Sequence, residues 1–250
     1  MQAVILAAGM GMRLRPLTRR VPKGLLEVGG KALLTRSLES LGASGLERAV
    51  IVVGYMGETI RRHLGERLAG VSLRYVDNPR FEATGSMYSL SLARSLLDGP
   101  ILLLESDLLY EQRAVETMIA RTGEDAILIA ELLGAGDDVY VCTDQAGRVI
   151  ALGKELAEED KTRAAGCLVG ISTFSPLFLE EVMAQAEREY AAGLLNRHYE
   201  ECVLAASLQG RPVKAVHCPD LRWTEIDTLA DLERARTEVY PAIVAAEGRP

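Results

Sequence analysis

The loop that follows the first apolar run of the chain combines glycines with fixed positive charge. Residues 6–28 read LAAGMGMRLRPLTRRVPKGLLEV, directly after the strand-like start AVIL. Gly9 and Gly11 let the backbone approach an anion closely and leave amide hydrogens pointing at it. Arg13 and Lys23 supply cations for the bridging and departing oxygens of a polyphosphate that is attacked at its α-phosphorus. The spacing predicts a polyphosphate-binding loop in which Arg13 and Lys23 are catalytic.

Two common phosphate-binding motifs do not fit this loop. A dinucleotide fingerprint needs a third glycine where Leu14 stands, and a P-loop needs GK followed by Ser or Thr. The other basic residues of the loop, Arg15, Arg19 and Arg20, are interpreted as solvated side chains. A Rossmann oxidoreductase is therefore disfavoured.

Two aspartates are candidates for a Mg²⁺ site. Mg²⁺ is a hard cation that proteins hold through one or two carboxylates, while phosphate oxygens and waters complete its shell. Asp107 ends the segment ILLLESD and emerges at the carboxyl end of a buried strand, and Asp227 lies in WTEID just before a helical pattern. Glu225 shares a face with Asp227 in an extended segment and is expected to support it. A helix-capping or turn role is the alternative for both aspartates.

The elements that position these residues follow from hydrophobic periodicity. Apolar runs of strand length (AVIL, AVIVV, SLRYV, ILLL) alternate with helical patterns up to Arg121, which predicts βαβ units and a mostly parallel sheet. Later segments such as VYVCT and RVIAL, separated by the turn signal DQAG, predict an antiparallel extension. Helices are expected at about Pro176 to Ala191, at Asn196 to Leu208 and from Thr228 onward. Ligands of such a sheet lie beyond the carboxyl ends of its strands.

Composition limits the classes of protein and partner. The 250 residues show no linker composition, so we expect one domain over residues 1–250. The net charge of −7 argues against a nucleic-acid or membrane partner. No apolar run approaches the ~20 residues of a transmembrane helix, and the N-terminus lacks the basic region of a signal sequence. A cytoplasmic protein with reduced structural cysteines is expected.

The long pattern LAAGxGxRLxPLTxxxPKxLxxV resembles the signature of the nucleotidyltransferases that activate sugar phosphates and related acceptors. The resemblance implies an α/β, Rossmann-like three-layer nucleotidyltransferase fold with a mostly parallel central sheet and an antiparallel extension. It also implies that a phosphate or phosphonate oxygen attacks a nucleoside triphosphate, with Mg²⁺ as cofactor, and that pyrophosphate leaves. Arg13 and Lys23 take the positions of the family's loop cations, and Asp107 and Asp227 those of its metal aspartates. Glu105-Ser106-Asp107 departs from the usual DGD-type motif, so the resemblance assigns no role to Glu105.

Later segments narrow the substrates by resemblance. NPRFEATGSMYSLSLA, ALGKEL, NRHYEE and LRWTEIDTLADLERA are similar to cytidylyltransferases that act on phosphocholine or 2-aminoethylphosphonate, which implies CTP as the donor. The candidate nucleotide-binding residues are Leu6, Ala7, Ala8, Gly9, Gly11, Gly54, Asn78 and Ser86.

The acceptor is expected to be set by its head group. Aromatic faces suit a quaternary ammonium, whereas carboxylates suit a primary amine. With one Trp in the chain, 2-aminoethylphosphonate is favoured over phosphocholine, with Lys154 on the phosphonate and Glu201 on the amine. Glu200 is interpreted as a solvated helix residue. The candidate acceptor-binding residues are Tyr140, Lys154, Tyr199, Glu201, Trp223 and Glu225.

Three alternatives to that function stay open. In order, they are a phosphocholine cytidylyltransferase, a sugar-phosphate nucleotidyltransferase and a noncatalytic nucleotide-binding regulatory domain. The expected partners are CTP and a small phosphonate or phosphate, and a homodimer is expected from the family resemblance alone.

Overall fold

The computed structural model describes residues 1–134 and 138–248, and its elements follow the alternation seen in the sequence. The strands are β1 (Gln2–Ala7), β2 (Glu27–Val28), β3 (Lys31–Ala32), β4 (Arg48–Val53), β5 (Arg67–Leu68), β6 (Val71–Asp77), β7 (Ile101–Glu105), β8 (Leu108–Tyr110), β9 (Ala126–Ala130), β10 (Tyr140–Thr143), β11 (Val149–Gly153), β12 (Gly166–Phe174), β13 (Lys214–His217) and β14 (Trp223–Glu225). The helices are α1 (Leu33–Ala43), α2 (Gly57–Leu64), α3 (Ser86–Ala93), α4 (Arg113–Ile119), α5 (Glu158–Thr162), α6 (Pro176–Ala191), α7 (Tyr199–Gln209), α8 (Leu229–Arg234) and α9 (Tyr240–Glu247).

A parallel core and an antiparallel flank make up the main sheet. Its strand order is β11-β10-β12-β7-β1-β4-β6-β5, and β9 pairs with β12 and with β13. Strands β7, β1, β4 and β6 run parallel, while β12 pairs antiparallel with β7, β9 and β10. The predicted parallel centre with an antiparallel extension is therefore confirmed. Two short pairs, β2 with β3 and β8 with β14, lie outside the main sheet.

Alternate side chains of β1 enter two different hydrophobic clusters, because successive residues of a strand face opposite sides of a sheet. Ala3, Ile5 and Ala7 pack into the cluster that includes residues of α1, α2 and α4, whereas Val4 and Leu6 pack into the one that includes residues of α3, α6 and α7. All of β1 is buried. This explains the unbroken apolar run, since both faces of the sheet are covered by helices as in the expected three-layer arrangement.

Local signals fixed several boundaries. The hairpin of β10 and β11 turns at Gly147, which has a φ of 76°, as the DQAG turn predicted. Helix α6 spans the predicted residues, with Ser175 as N-cap and Pro176 in its first turn. The capping box of α8 also forms, because Thr228 and Asp231 exchange hydrogen bonds. Helix α7 starts three residues later than expected.

No helix among residues 1–134 and 138–248 is both long enough and apolar enough to cross a membrane.

Candidate active site

A cavity of about 1080 Å³ opens where the parallel strands β1, β6 and β7 end. Its wall includes the segments that follow those strands, and the residues around β11, β12 and α7 close the other end. The predicted site residues that line it are Leu6, Ala7, Ala8, Gly9, Gly11, Arg13, Lys23, Asn78, Ser86, Asp107, Lys154, Glu201, Glu225 and Asp227. Four of the predicted residues do not line it, namely Gly54, Tyr140, Tyr199 and Trp223.

The glycine loop packs against Lys23. Gly11 has a φ of 57°, and a Cβ atom there would lie 3.0 Å from Thr18 Cγ2 and 3.3 Å from Lys23 Cβ. Thr18 Oγ1 donates a hydrogen bond to the Gly11 carbonyl over 2.8 Å. Gly9 is different, because the position of its missing Cβ has no atom within 4 Å. The absence of a side chain at Gly9 therefore leaves space in the cavity.

Gly54 packs against the backbone of Ala8 in this loop. A Cβ atom on Gly54 would lie 2.9 Å from the Ala8 carbonyl oxygen and 2.8 Å from Phe81 Cβ. The next residue, Tyr55, donates its amide hydrogen to the Ala8 carbonyl over 3.1 Å. Gly54 thus shapes the nucleotide end of the cavity and does not line it.

Residues that are far apart in the sequence form a cluster of opposite charges, namely Arg13, Lys23, Asp107 and Asp227. Lys23 Nζ lies 2.5 Å from Asp227 Oδ1 and also contacts Asp107 Oδ2, while Arg13 pairs with the other oxygen of Asp227. The backbone brings these acids together, because Ile226 donates a hydrogen bond to the Asp107 carbonyl over 3.0 Å. The Lys23 side chain is 12% exposed, compared with 54% for Arg13. Lys23 is therefore the inner cation of the site.

The charges of this cluster stabilise one another. Burial opposes the charge of Lys23, but the carboxylates of Asp107, Asp227 and Glu225 outweigh it and raise the pKa of Lys23. Burial likewise opposes the charge of Asp227, but Lys23 and Arg13 lower the pKa of Asp227 to about 2. Lys23 and Asp227 are therefore both charged at neutral pH.

A second group of acids could hold a metal ion. Carboxylate oxygens of Glu105, Asp107 and Glu225 lie within 4.8 Å of one another, and Asp107 Oδ1 is buried without a hydrogen-bonding partner among the described residues. Burial and the neighbouring carboxylates of Asp107 and Asp227 raise the pKa of Glu225 to about 8, and burial with Glu225 and Asp107 raises the pKa of Glu105 well above its ordinary value. Such crowded oxygens match the donors that a hard divalent cation prefers.

This group differs from the predicted pair of metal aspartates. Asp107 belongs to it as expected, whereas Asp227 is occupied by Lys23 and Arg13. Glu225, expected to support Asp227 and to bind the acceptor, lies beside Asp107. Glu105, to which the family resemblance assigned no role, lies there too. The signal for Glu105 was its position at the end of β7, two residues before Asp107 on the same face.

The predicted base-binding residues mainly organise the wall of the cavity. Asn78 Nδ2 donates to Thr84 Oγ1 and Ser89 Oγ, both over 3.0 Å, and Asn78 Oδ1 accepts from the Arg80 amide over 2.9 Å. The hydrogen-bonding groups of the Asn78 side chain are thus committed within the protein. Ser86 Oγ accepts a hydrogen bond from the Tyr199 amide over 2.9 Å and ties the start of α3 to the start of α7.

Three aromatic residues expected at the acceptor lie elsewhere. Tyr199 is fully buried in the core between α7 and the sheet, and Trp223 is 5% exposed and packs in the core on the other face. Tyr140 is half-buried on β10, with Lys161 Nζ 5.7 Å from its ring centroid. None of these three rings lines the cavity, so the structure does not bring them together with the other predicted acceptor-binding residues.

The two glutamates at the start of α7 differ from the prediction in their hydrogen-bonding partners. Both carboxylate oxygens of Glu201 are engaged, since one accepts from Arg197 Nη1 over 2.5 Å and the other from the His198 amide over 2.7 Å. Glu200 also lines the cavity, and its Oε2 is buried without a hydrogen-bonding partner among the described residues. The signal for this difference was present in the sequence, because Glu201 stands at the third position of a capping box that begins at His198.

Glycines opposed by a lysine, an arginine and a cluster of acids lie at the carboxyl end of the parallel sheet, as expected for a nucleotidyltransferase. Residues 2–137, more than half of the chain, match the family described as nucleotidyl transferase. The chain belongs to this family, and it is an enzyme of the nucleotidyltransferase class. The resemblance seen in the first loop is thereby confirmed.

Known proteins similar to the chain include enzymes of phosphonate chemistry. It is 29% identical over 244 residues to the CMP-5'-(3-aminopropyl)phosphonate synthase of Streptomyces rubellomurinus, covering 96% of this chain and 39% of that protein. It is 26% identical over 240 residues to the 2-aminoethylphosphonate cytidylyltransferase of Lancefieldella rimae, covering 92% of this chain and 89% of that protein. The chain thus spans about two fifths of the first relative and most of the second.

A solved structure shares the fold. The inositol-1-phosphate CTP transferase from T. maritima superposes with a TM-score of 0.79 at 24% identity, covering 100% of this chain and 97% of that one.

Proposed function

We propose that the protein is a CTP-dependent cytidylyltransferase that joins CMP to a small phosphonate bearing a primary amine, with 2-aminoethylphosphonate as the simplest substrate. The observation that carries the proposal is the composition of the acceptor end of the cavity. Glu105, Glu200 and Glu225 line that end together with Lys154. Among the described residues, Phe81 of the nucleotide end is the one Phe, Tyr or Trp in the wall. This composition suits an ammonium group and an anion, and it lacks the aromatic faces that suit choline.

The donor is proposed from the relatives. Both the Streptomyces and the Lancefieldella enzymes are named for CMP or cytidylyl products, and each matches more than nine tenths of this chain. The phosphonate chemistry in both names agrees with an acceptor that carries an anionic head and an amine.

The four cysteines are free thiols, which supports the expected cytoplasmic location.

The transfer conserves atoms and charge without a general base. A phosphonate is ionised at neutral pH, so one of its oxygens attacks the α-phosphorus of CTP directly. The bond from that phosphorus to the oxygen that bridges it to the β-phosphate breaks, and pyrophosphate leaves with the electron pair. Lys23 and Arg13 lie beside the glycine loop and stabilise the charge that develops on these oxygens.

The acids of the site fit a bound Mg²⁺. Asp107, with Glu105 and Glu225, would hold the ion, and Asp227 would keep Lys23 and Arg13 in place. When bound, Mg²⁺ neutralises charge on the phosphate oxygens.

The proposal is tested by measuring pyrophosphate release with Mg²⁺ and each of CTP, UTP, ATP, GTP and dTTP. The acceptors are 2-aminoethylphosphonate, phosphocholine, 2-hydroxyethylphosphonate and glucose 1-phosphate. We expect turnover with CTP and 2-aminoethylphosphonate. Preference for phosphocholine or glucose 1-phosphate would refute the acceptor, preference for another nucleotide would refute the donor, and binding of CTP without turnover of any pair would support a regulatory domain.

A further inference from the structure

Glu200 is a buried carboxylate that faces the reaction cavity without a partner for one of its oxygens. It lies in the first turn of α7, and Oε2 has no hydrogen-bonding partner among the described residues. A buried polar oxygen in a native protein is nearly always hydrogen-bonded, so an exception beside a ligand cavity points to a group that the ligand supplies. Burial also raises the pKa of Glu200, and the nearby His198 and Lys154 offset this only in part.

The other charged side chains at this end of the cavity have partners or roles of their own, so Glu200 Oε2 remains for the acceptor. Glu201, the next residue, is fully engaged by Arg197 and His198, as described above. Glu105 and Glu225 belong to the group of acids that fits a metal ion. Lys154 lines the same end of the cavity, but its side chain is exposed and is suited to the phosphonate oxygens. Glu155 also lines this end of the cavity but is exposed. Among the described residues, Glu200 is therefore the one carboxylate at this end that has a buried oxygen and is accounted for neither by the metal group nor by the helix cap.

We propose that Glu200 binds the ammonium group of the acceptor and sets the preference of the enzyme for a primary amine. The inference rests on the proposed function, because it assumes that an aminophosphonate is the substrate. A primary ammonium has three N–H donors and can satisfy a carboxylate oxygen at hydrogen-bonding distance. A quaternary ammonium has no N–H donor and would leave Glu200 Oε2 unsatisfied. A hydroxyl in place of the amine would give one hydrogen bond without the opposite charge.

The test compares two acceptors that differ only in this group. For each variant, kcat/KM is measured with 2-aminoethylphosphonate and with 2-hydroxyethylphosphonate, and the quotient of the two values is the amine selectivity. Hydrogen bonds to charged groups contribute about 1.5–3 kcal/mol, so Glu200→Gln should lower the amine selectivity about 10- to 100-fold. The loss should appear mainly in the KM for the aminophosphonate, with the KM for CTP unchanged.

Two further variants separate recognition from folding. Glu201→Gln makes the same change of charge on the adjacent residue, and we expect it to lower the melting temperature and to change the amine selectivity less than threefold. Glu200→Asp keeps the charge on a shorter side chain and should restore part of the selectivity lost in Glu200→Gln. A purely structural Glu200 would change the melting temperature of its variants and leave the amine selectivity as it is in the wild type.

The outcomes distinguish this inference from the proposed function. If the wild-type enzyme uses 2-aminoethylphosphonate but Glu200→Gln keeps its amine selectivity, Glu200 is not the ammonium site and the proposed function stands. If Glu201→Gln, and not Glu200→Gln, loses the selectivity, the assignment of the two glutamates is reversed. If the wild-type enzyme does not use the aminophosphonate at all, the proposed function is wrong and the inference falls with it.

Discussion

Replacing Lys23 with methionine removes the inner cation of the site while keeping the length of the side chain. In the wild type, Lys23 Nζ contacts both Asp107 and Asp227, and its side chain is 12% exposed. Removing one member of a buried ion pair costs about 3–5 kcal/mol, because the remaining charge is left without compensation. Arg13 still pairs with Asp227 in the variant, so we take the lower value of about 3 kcal/mol.

Three effects of Lys23→Met are expected. A loss of about 3 kcal/mol lowers the melting temperature by roughly 6–12 °C in a chain of this size. Turnover falls about 10²- to 10³-fold, because one preorganised positive group no longer stabilises the developing charge on the phosphate oxygens. Saturating Mg²⁺ raises the melting temperature of the variant more than that of the wild type, because Lys23 no longer competes for Asp107.

The assay is thermal unfolding with and without Mg²⁺, together with pyrophosphate release at saturating substrates. Lys31→Met is the matched control, because Lys31 forms an exposed pair with Glu39 over 2.7 Å. Such a pair contributes less than about 1 kcal/mol. Wild-type turnover and an unchanged melting temperature in Lys23→Met would falsify the role of this lysine as a buried catalytic cation.

Variants at four other positions separate metal binding, charge burial and loop placement. Asp107→Asn should lower Mg²⁺-dependent turnover at least about 100-fold with the fold retained by circular dichroism, and wild-type turnover would contradict a metal role. The pKa of Glu225 is raised from an ordinary value near 4.5 to about 8, so the folded state holds its proton over that window and ionisation costs stability as pH rises through it. Without metal, the melting temperature of the wild type should therefore fall relative to Glu225→Gln between about pH 5 and pH 8, and a difference independent of pH would contradict this. Gly54→Ala should raise the KM for CTP and lower the melting temperature, because its Cβ would meet the Ala8 carbonyl oxygen at 2.9 Å. Gly9→Ala should raise that KM alone, since its Cβ would enter empty space, and equal melting temperatures for the two glycine variants would count against the distinction.

The parts of the fold that were predictable depend on short-range patterns. The alternation of strands with helices was predictable because the spacing of apolar residues differs between the two kinds of element. The capping residues of α6 and α8 mark the starts of these helices within a few positions. The position of the glycine loop after β1 was predictable for the same reason, and local geometry brings Gly11 against Lys23. Its binding of phosphate stays a prediction. The parallel direction of β7, β1 and β4 followed from the alternation of strands and helices, whereas their order in the sheet was not predicted.

The parts that the sequence did not predict depend on long-range packing. Asp227 and Asp107 both reach the site, but which acids crowd together is decided by the pairing of β14 with β8, more than a hundred residues apart. By residue type, Trp223, Tyr199 and Tyr140 could have formed an aromatic cage. The packing of α7 and β14 instead places the rings of Tyr199 and Trp223 in the core, and Tyr140 lies on β10 outside the cavity lining. Glu200 and Glu201 differ by one position, and the hydrogen bonds at the start of α7 decide between them.

The contact between α3 and α7 has a consequence for the kinetics of the enzyme. Besides the Tyr199–Ser86 hydrogen bond, the Gly85 amide donates to the Leu195 carbonyl over 2.9 Å, and a Cβ atom on Gly85 would lie only 2.0 Å from the Arg197 carbonyl oxygen. The segment that borders the nucleotide and the segment that carries Glu200 therefore form one continuous seam. A substrate that displaced one segment would therefore displace the other, and reciprocity would then require each substrate to alter the affinity for its partner by the same factor. Such coupling would make the apparent KM for each substrate depend on the concentration of the other.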